Sequence, residues 1–173
     1  TIALNGGEIA ITDNLTIQGP SAANLTIARN TSSPNARIFT VNPGVTVSIN
    51  GLTFRDGLSS SPGGAILNDG GTLTITSSIF DNNESTWAGS FAGGGAIANR
   101  ANGTNLGNLT VTNGTFTSNK AVIGGAINNE DRCTATVGNS RLSGNLASAS
   151  SNGGGGGIFS QGTLTVDTSV LSS

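Results

Sequence analysis

Leu73-Thr-Ile-Thr76, Phe80-Asp-Asn-Asn83 and Gly94-Gly-Ala-Ile97 stand in this order along one stretch of the chain, and blocks of the same three kinds recur along most of it. We name them block a, which alternates apolar and polar residues; block b, a bulky residue with a turn residue three places later; and block c, two glycines before a small and a branched apolar residue. Alternation with a period of two predicts a half-buried strand. The stretch therefore predicts a repeating unit of short strands.

The blocks return at intervals that suit a solenoid, which is typical of repeats of about 20 to 50 residues. Block a recurs at Val45–Ile49, Leu109–Thr112, Ala135–Gly138 and Leu164–Asp167; block b at Phe54–Gly57, Phe116–Asn119 and Leu142–Asn145, with Leu171 beginning another; and block c at Gly63–Ile66, Gly124–Ile127 and, more weakly, Gly156–Ile158. Strands that cannot pair within their own unit can pair in parallel with their equivalents about 4.8 Å above and below. The repeats predict an all-β fold, a parallel β-helix (solenoid) of about five to six rungs with three short strands per rung.

The regular repeats cover 45–173, and short strand patterns such as Ile9-Ala-Ile11 predict irregular N-terminal rungs over 1–44. We expect a single β-helix domain over 1–173, because 173 residues suit one domain. The chain lacks an initiator Met and stops within a copy of block b. We therefore expect it to be a fragment of a longer chain.

Equivalent positions in successive rungs predict stacked columns, because side chains alternate across a strand. If Thr74 points outward, Leu73 and Ile75 point into the core. The column expected from block b contains Phe54, Phe80, Phe116 and Leu142; Val47, Leu73, Leu109, Ala135 and Leu164 form the column of block a; and Ile66, Ile97, Ile127 and Ile158 form that of block c.

Two sets of polar residues also repeat, and we interpret both as structural. Asn83, Asn119 and Asn145 stand at equivalent corners, where we expect a left-handed backbone that Asn tolerates and that Gly57 adopts without strain. A second ladder is expected just after block c, where stacked amides can bond between rungs. Its members are Asn68, Asn99 and Asn129, with Ser160.

Composition excludes several classes of function. Charged residues are only 9% of the chain, the net charge is −2 and no basic stripe occurs, which disfavours nucleic acid as a partner. The absence of His and the single Cys exclude imidazole catalysis, a zinc cluster and an intrachain disulfide. No apolar run approaches the ~20 residues that span a bilayer, so we expect no membrane insertion by this segment. No cofactor, metal ligand set or catalytic residue is predicted.

The repeated Gly-Gly-Ala-Ile, together with Phe80-Asp-Asn-Asn83 and Phe116-Thr-Ser-Asn119, resembles the repeat pair of chlamydial polymorphic outer membrane proteins and the wider set of autotransporter-like passenger repeats. The resemblance covers about 45–171. It implies a right-handed β-helix in a secreted or surface-displayed bacterial protein, used as a structural element or in adhesion. The expected partners are a host surface or a carbohydrate, and the expected location is extracellular or on the bacterial cell surface.

Two alternatives stay open. The outward positions of block a form a ladder that resembles the face of an ice-binding protein, with Thr46, Thr74, Thr110, Thr136 and Thr165 in one row and Ser48, Thr76, Thr112, Gly138 and Asp167 beside it. Thr is also simply a good exposed strand residue. Some β-helices bind or cleave polysaccharides, although clustered acids on one face are not found here.

The variable connections between blocks b and c are candidate binding loops. Trp87 and Phe91 lie in the longest of them, where they could stack on a sugar ring or instead fold back over the protein. A β-helix also exposes unpaired sheet edges at its two ends. Two explanations of these ends stay open: either the native chain continues past them, which we favour, or copies associate through the open ends of the helix and stack end to end into a filament or dimer.

Overall fold

The computed structural model describes residues 1–89, 93–148 and 154–172. These residues form short strands joined by turns, and none of the described segments contains a helix long and apolar enough to cross a membrane. In chain order the strands are β1 (Ile2–Leu4), β2 (Ile9–Ile11), β3 (Leu15–Gln18), β4 (Thr26–Arg29), β5 (Phe39–Val41), β6 (Thr46–Asn50), β7 (Thr53–Arg55), β8 (Leu58–Ser59), β9 (Ile66–Asp69), β10 (Thr72–Thr76), β11 (Ile79–Asp81), β12 (Glu84–Ser85), β13 (Ile97–Arg100), β14 (Asn108–Thr112), β15 (Thr115–Thr117), β16 (Lys120–Ala121), β17 (Ile127–Asn129), β18 (Thr134–Gly138), β19 (Arg141–Ser143), β20 (Leu146–Ala147), β21 (Ile158–Ser160), β22 (Thr163–Asp167) and β23 (Val170–Ser172).

The strands stack into parallel sheets that wind around one core, so the predicted parallel β-helix is confirmed. We name the sheets after the blocks that supply them: sheet a has the order β22-β18-β14-β10-β6-β3, sheet b β1-β4-β7-β11-β15-β19-β23, and sheet c β2-β5-β9-β13-β17-β21. Every neighbouring pair runs parallel. A fourth sheet, sheet d, has the order β20-β16-β12-β8 and was not predicted, because strands of two residues carry no alternation.

The core is a set of columns that run from rung to rung. Phe54, Phe80 and Phe116 are fully buried, and their rings stack with centroids 4.9 and 4.8 Å apart and tilts of only 16° and 4°. Leu142 continues the column above Phe116. The ring separation equals the spacing between rungs, so the rings stay in contact along the column. Each stacked pair contributes about 0.5–1.5 kcal/mol of stability beyond that from burying the rings.

The corners of block b differ from the prediction by one residue. The residues with a left-handed backbone are Asp56, Asn82, Ser118 and Gly144, with φ of 59°, 54°, 55° and 62°. The left-handed backbone expected at Asn83, Asn119, Asn145 and Gly57 is therefore wrong. The corner turns one residue earlier because the next side chain must point inward, where its amide bonds to neighbouring rungs.

The paired glycines of block c are required at two adjacent positions for two reasons. The first glycine has a left-handed backbone, with φ of 74° at Gly94, where only Gly is free of strain. The second approaches the next rung closely, because a Cβ built on Gly95 would lie 2.2 Å from the carbonyl oxygen of Gly125. Block c therefore forms the tight corner between sheet d and sheet c, where the backbones of adjacent rungs approach closely.

Candidate functional site

The first amide ladder consists of Asn83, Asn119 and Asn145, which lie just beyond sheet b. Nδ2 of Asn83 donates to Oδ1 of Asn119 at 3.0 Å, and Nδ2 of Asn119 donates to Oδ1 of Asn145 at 2.9 Å. Each Nδ2 also donates to a backbone carbonyl of the rung below, such as that of Phe54 for Asn83. Asn83 and Asn119 are fully buried, so their amides are bonded to the protein and not available to a ligand.

The second amide ladder consists of Asn68, Asn99 and Asn129, with Ser160 at its upper end. Nδ2 donates to the next Oδ1 at 2.7 Å from Asn68 to Asn99 and again from Asn99 to Asn129. Nδ2 of Asn129 then donates to the Ser160 hydroxyl at 2.9 Å. All three asparagines are fully buried. The lowest acceptor, Oδ1 of Asn68, has no partner, because Val41 stands at the equivalent position in the rung below.

Charged residues pair between adjacent rungs. Arg55 lies directly beside Asp81, with 3.0 Å between Nε and Oδ2, and Nδ2 of Asn82 donates to Oδ1 of Asp56 at 2.7 Å. The Arg55 side chain is 49% exposed, so this ion pair contributes only about 0–1 kcal/mol. It is a structural contact on the surface of the rod.

A second charged cluster lies at the corner after sheet c. Oδ1 of Asp69 accepts from Nε of Arg100 at 2.5 Å, and its Oδ2 accepts from Nδ2 of Asn102 at 2.7 Å. Burial raises the pKa of the nearby Glu130 carboxyl, and the charge of Arg100 partly opposes that rise. The Asp69 side chain is only 15% exposed and both of its oxygens are bonded, so it joins neighbouring rungs.

Arg37 is the one strongly buried cation among the residues that the structure describes, and sequence reasoning missed it. Its Nε lies 2.7 Å from Oε2 of Glu8, and Nη1 donates to the carbonyl of Pro62 at 2.8 Å. Nη2 donates to the Ser61 hydroxyl at 2.6 Å. Burial lowers the pKa of the guanidinium, while Glu8 opposes the shift. These bonds link Glu8 of the N-terminal rungs, through Arg37, to the connection that follows β8.

Trp87 lies in the connection after β12 and remains 39% exposed. Its indole packs on its own loop, because a Cβ built on Gly89 would lie 2.4 Å from the ring. The ring thus lies against Gly89 through atoms that include Nε1, and part of its surface is in solvent. Phe91, the second predicted aromatic, lies outside the described residues.

The outward side of sheet a forms a regular surface that we call the threonine face. The register between rungs sets three rows, which are Thr46, Thr72, Asn108, Thr134 and Thr163; Thr16, Ser48, Thr74, Thr110, Thr136 and Thr165; and Gln18, Asn50, Thr76, Thr112, Gly138 and Asp167. The middle row carries a hydroxyl in every rung.

Two predicted neighbours on this face are wrong, both in the rung of β6. Thr46 lies beside Thr72, not beside Thr74, and Ser48 lies beside Thr74, not beside Thr76. A shift of two residues leaves the inward and outward pattern unchanged, so alternation alone does not detect it. The observed middle row therefore has Ser48 in place of Thr46 and extends by one rung to Thr16.

The remaining candidate chemistry is limited. Cys133 is a free, fully buried thiol whose pKa is raised by burial. Within 1–89, 93–148 and 154–172, no group of three or more Cys, Asp or Glu side chains is placed to hold a metal ion. Comparisons with protein-family models, curated proteins and solved structures find no match to this chain.

Proposed function

We propose that this chain is a non-catalytic structural and adhesive module of an extracellular or cell-surface bacterial protein. The observation that supports the proposal is the rung-to-rung bonding of its polar side chains. Both amide ladders are buried and bonded along the axis, and the ion pairs of Arg55 and Arg100 also join neighbouring rungs. Side chains used in this way stiffen a rod, which suits a part that holds a binding surface away from its anchor.

The adhesive contact is assigned to the loop that carries Trp87. An indole that is 39% exposed and lies against Gly89 offers a preformed apolar surface. A sugar ring on a host or neighbouring cell stacks well on such a surface. Holding the ring for a ligand costs little, because the ring already lies against Gly89.

The test is capture of the chain by arrayed glycans and intact cells, with Trp87→Ala compared with Leu106→Ala. Leu106 is a matched control, since it is a 44% exposed apolar side chain on a different loop. We expect Trp87→Ala to weaken capture by about tenfold, the equivalent of ~1.4 kcal/mol, and Leu106→Ala to leave it unchanged. Absence of capture by every surface contradicts adhesion, and equal capture of both variants removes Trp87 from the contact.

We also propose that copies of this chain associate end to end. The first rung exposes Ile2, Ile9 and Leu15, and the last exposes Leu164 and Leu171. β22 carries Leu-Thr-Val-Asp and β3 carries Leu-Thr-Ile-Gln, so one could continue the columns of the other. Light scattering over a concentration series is expected to show particles that lengthen, and a constant monomer mass would contradict the association.

A further inference from the structure

The threonine face extends regularly in two directions, along the strands and from rung to rung. Its middle row spans six consecutive strands of a parallel sheet, which at ~4.8 Å per strand gives a length of ~24 Å. Outward residues along one strand are ~6.6 Å apart, so three rows give a width of ~13 Å. The face therefore presents side chains on a two-dimensional lattice with fixed repeats in both directions.

The hydroxyls of this face are not used by the protein. In the part of the chain that the structure describes, no side chain of the middle row has a hydrogen-bond partner. Threonines elsewhere are often bonded, as when Thr40 donates to Glu8 and Thr117 donates to Asp81. The Thr74 and Thr110 side chains are only half-exposed, yet their hydroxyls stay available.

The face is also rigid and nearly uncharged. Thr is branched at Cβ, so few rotamers are open to it on a strand, and little entropy is lost when its hydroxyl binds. Asp167 is the one charged residue of the three rows, and it lies at the end of its row. Such a surface offers methyl and hydroxyl groups at fixed positions. It has almost no charged side chains, which would orient the neighbouring water around themselves and not in an ice lattice.

We infer that the threonine face binds the surface of ice. A single hydroxyl gains little on binding, because it exchanges a hydrogen bond to liquid water for a hydrogen bond to another water molecule. Many hydroxyls on a rigid lattice act together when the ligand is itself a rigid lattice of water molecules, since each bond after the first is intramolecular. A periodic array thus distinguishes ordered from liquid water, which an isolated threonine does not.

Crystalline polysaccharide is the other periodic ligand to consider, and the face does not favour it. Sugar rings are commonly held by stacking on aromatic side chains. None of the three rows contains an aromatic residue. This inference concerns a different surface from the Trp87 loop and does not depend on the adhesive function proposed above.

The test is the gap between the melting and freezing temperatures of a single ice crystal in a solution of the purified chain. We expect a gap and faceted crystals for the unmodified chain. Thr110→Lys and Thr136→Lys place a long charged side chain in the middle row and are expected to abolish most of the gap. Thr104→Lys, at an exposed threonine in the loop between β13 and β14 and outside the three rows, is the matched control and is expected to keep it.

The variants are first compared by circular dichroism and thermal unfolding, so that loss of the fold is separated from loss of binding. Thr110→Ser keeps the hydroxyl and tests the chemistry without a bulky substituent; it is expected to retain most of the gap. Absence of any gap or faceting for the unmodified chain overturns the inference. Equal loss in Thr104→Lys and Thr110→Lys overturns the assignment to this face, as does retention of the chain on crystalline cellulose but not on ice.

Discussion

Replacement of Asn99 by Ala removes the central amide of the second ladder. Nδ2 of Asn99 donates to Oδ1 of Asn129 at 2.7 Å and to the carbonyl oxygens of Thr134 and Gly107 at 3.0 and 3.2 Å. Its Oδ1 accepts from Nδ2 of Asn68 at 2.7 Å. The site is fully buried, so no bulk water replaces these partners.

The expected cost follows from these bonds. Oδ1 of Asn129 loses its donor inside the protein, which costs about 1–3 kcal/mol, and the other bonds contribute about 0.5–1.5 kcal/mol each. Nδ2 of Asn68 keeps its bond to the Gly71 carbonyl, so the loss of its bond to Asn99 costs less than the full amount. We expect Asn99→Ala to lower the free energy of unfolding by about 3–5 kcal/mol.

Urea unfolding followed by circular dichroism measures this loss. Asn99→Asp has nearly the same volume but places an acceptor opposite the Asn129 acceptor, so it is expected to be at least as destabilising. Asn5→Ala is the control, because the exposed Asn5 side chain also accepts an amide hydrogen bond, from Asn30 at 2.7 Å. Its effect is expected to stay within about 0.5 kcal/mol. A loss below about 1 kcal/mol for Asn99→Ala would refute the view that the ladder stabilises the rod.

Four further predictions concern the core, the corners and two titratable groups. Phe80→Ala interrupts the ring stack and is expected to cost about 3–5 kcal/mol in urea unfolding. Gly95→Ala forces a Cβ against a backbone oxygen and is expected to cost more than about 3 kcal/mol, whereas Gly138→Ala, with no atom within 4 Å, changes stability by less than about 0.5. Because burial raises the folded-state pKa of Glu130, its contribution to stability is present below the unfolded-state pKa and lost as the pH rises through the folded-state pKa; Glu130→Gln should remove this slope from urea unfolding across the acidic range. The Cys133 thiol is buried and its pKa is raised, so a thiol reagent should label it only after unfolding, and fast labelling of the native chain would contradict the burial.

The architecture was predictable because the blocks repeat with their apolar positions intact. Alternation in Leu73-Thr-Ile-Thr76 identifies which side chains face the core. The recurrence of Phe at 54, 80 and 116 identifies which residues of adjacent rungs stack on each other. The alternation determines the register of the outer surface less well, because a shift of two residues leaves every side chain on the same face of the sheet. That is why Thr46 was placed beside the wrong threonine while Val47 and Leu73 were placed correctly.

Local backbone geometry was less predictable than the stacking. Asn82 and Asn83 are adjacent, and both tolerate a left-handed backbone, so residue type alone does not say which one turns. The choice is made by the tertiary structure, since only the residue after the turn can point its amide into the ladder. Arg37 was missed for a similar reason, because its partners Glu8 and Pro62 are distant in sequence and belong to no repeat.

The central claim, a module that binds surfaces without cleaving them, is tested most directly by one incubation in which capture and cleavage are measured together. The chain is applied to a panel of insoluble polysaccharides and cell walls, with and without calcium, and both the retained protein and the released sugar ends are measured. The account predicts retention on at least one surface with no sugar ends above those of a protein-free control. Release of sugar ends from any polymer, or retention on none, would contradict it.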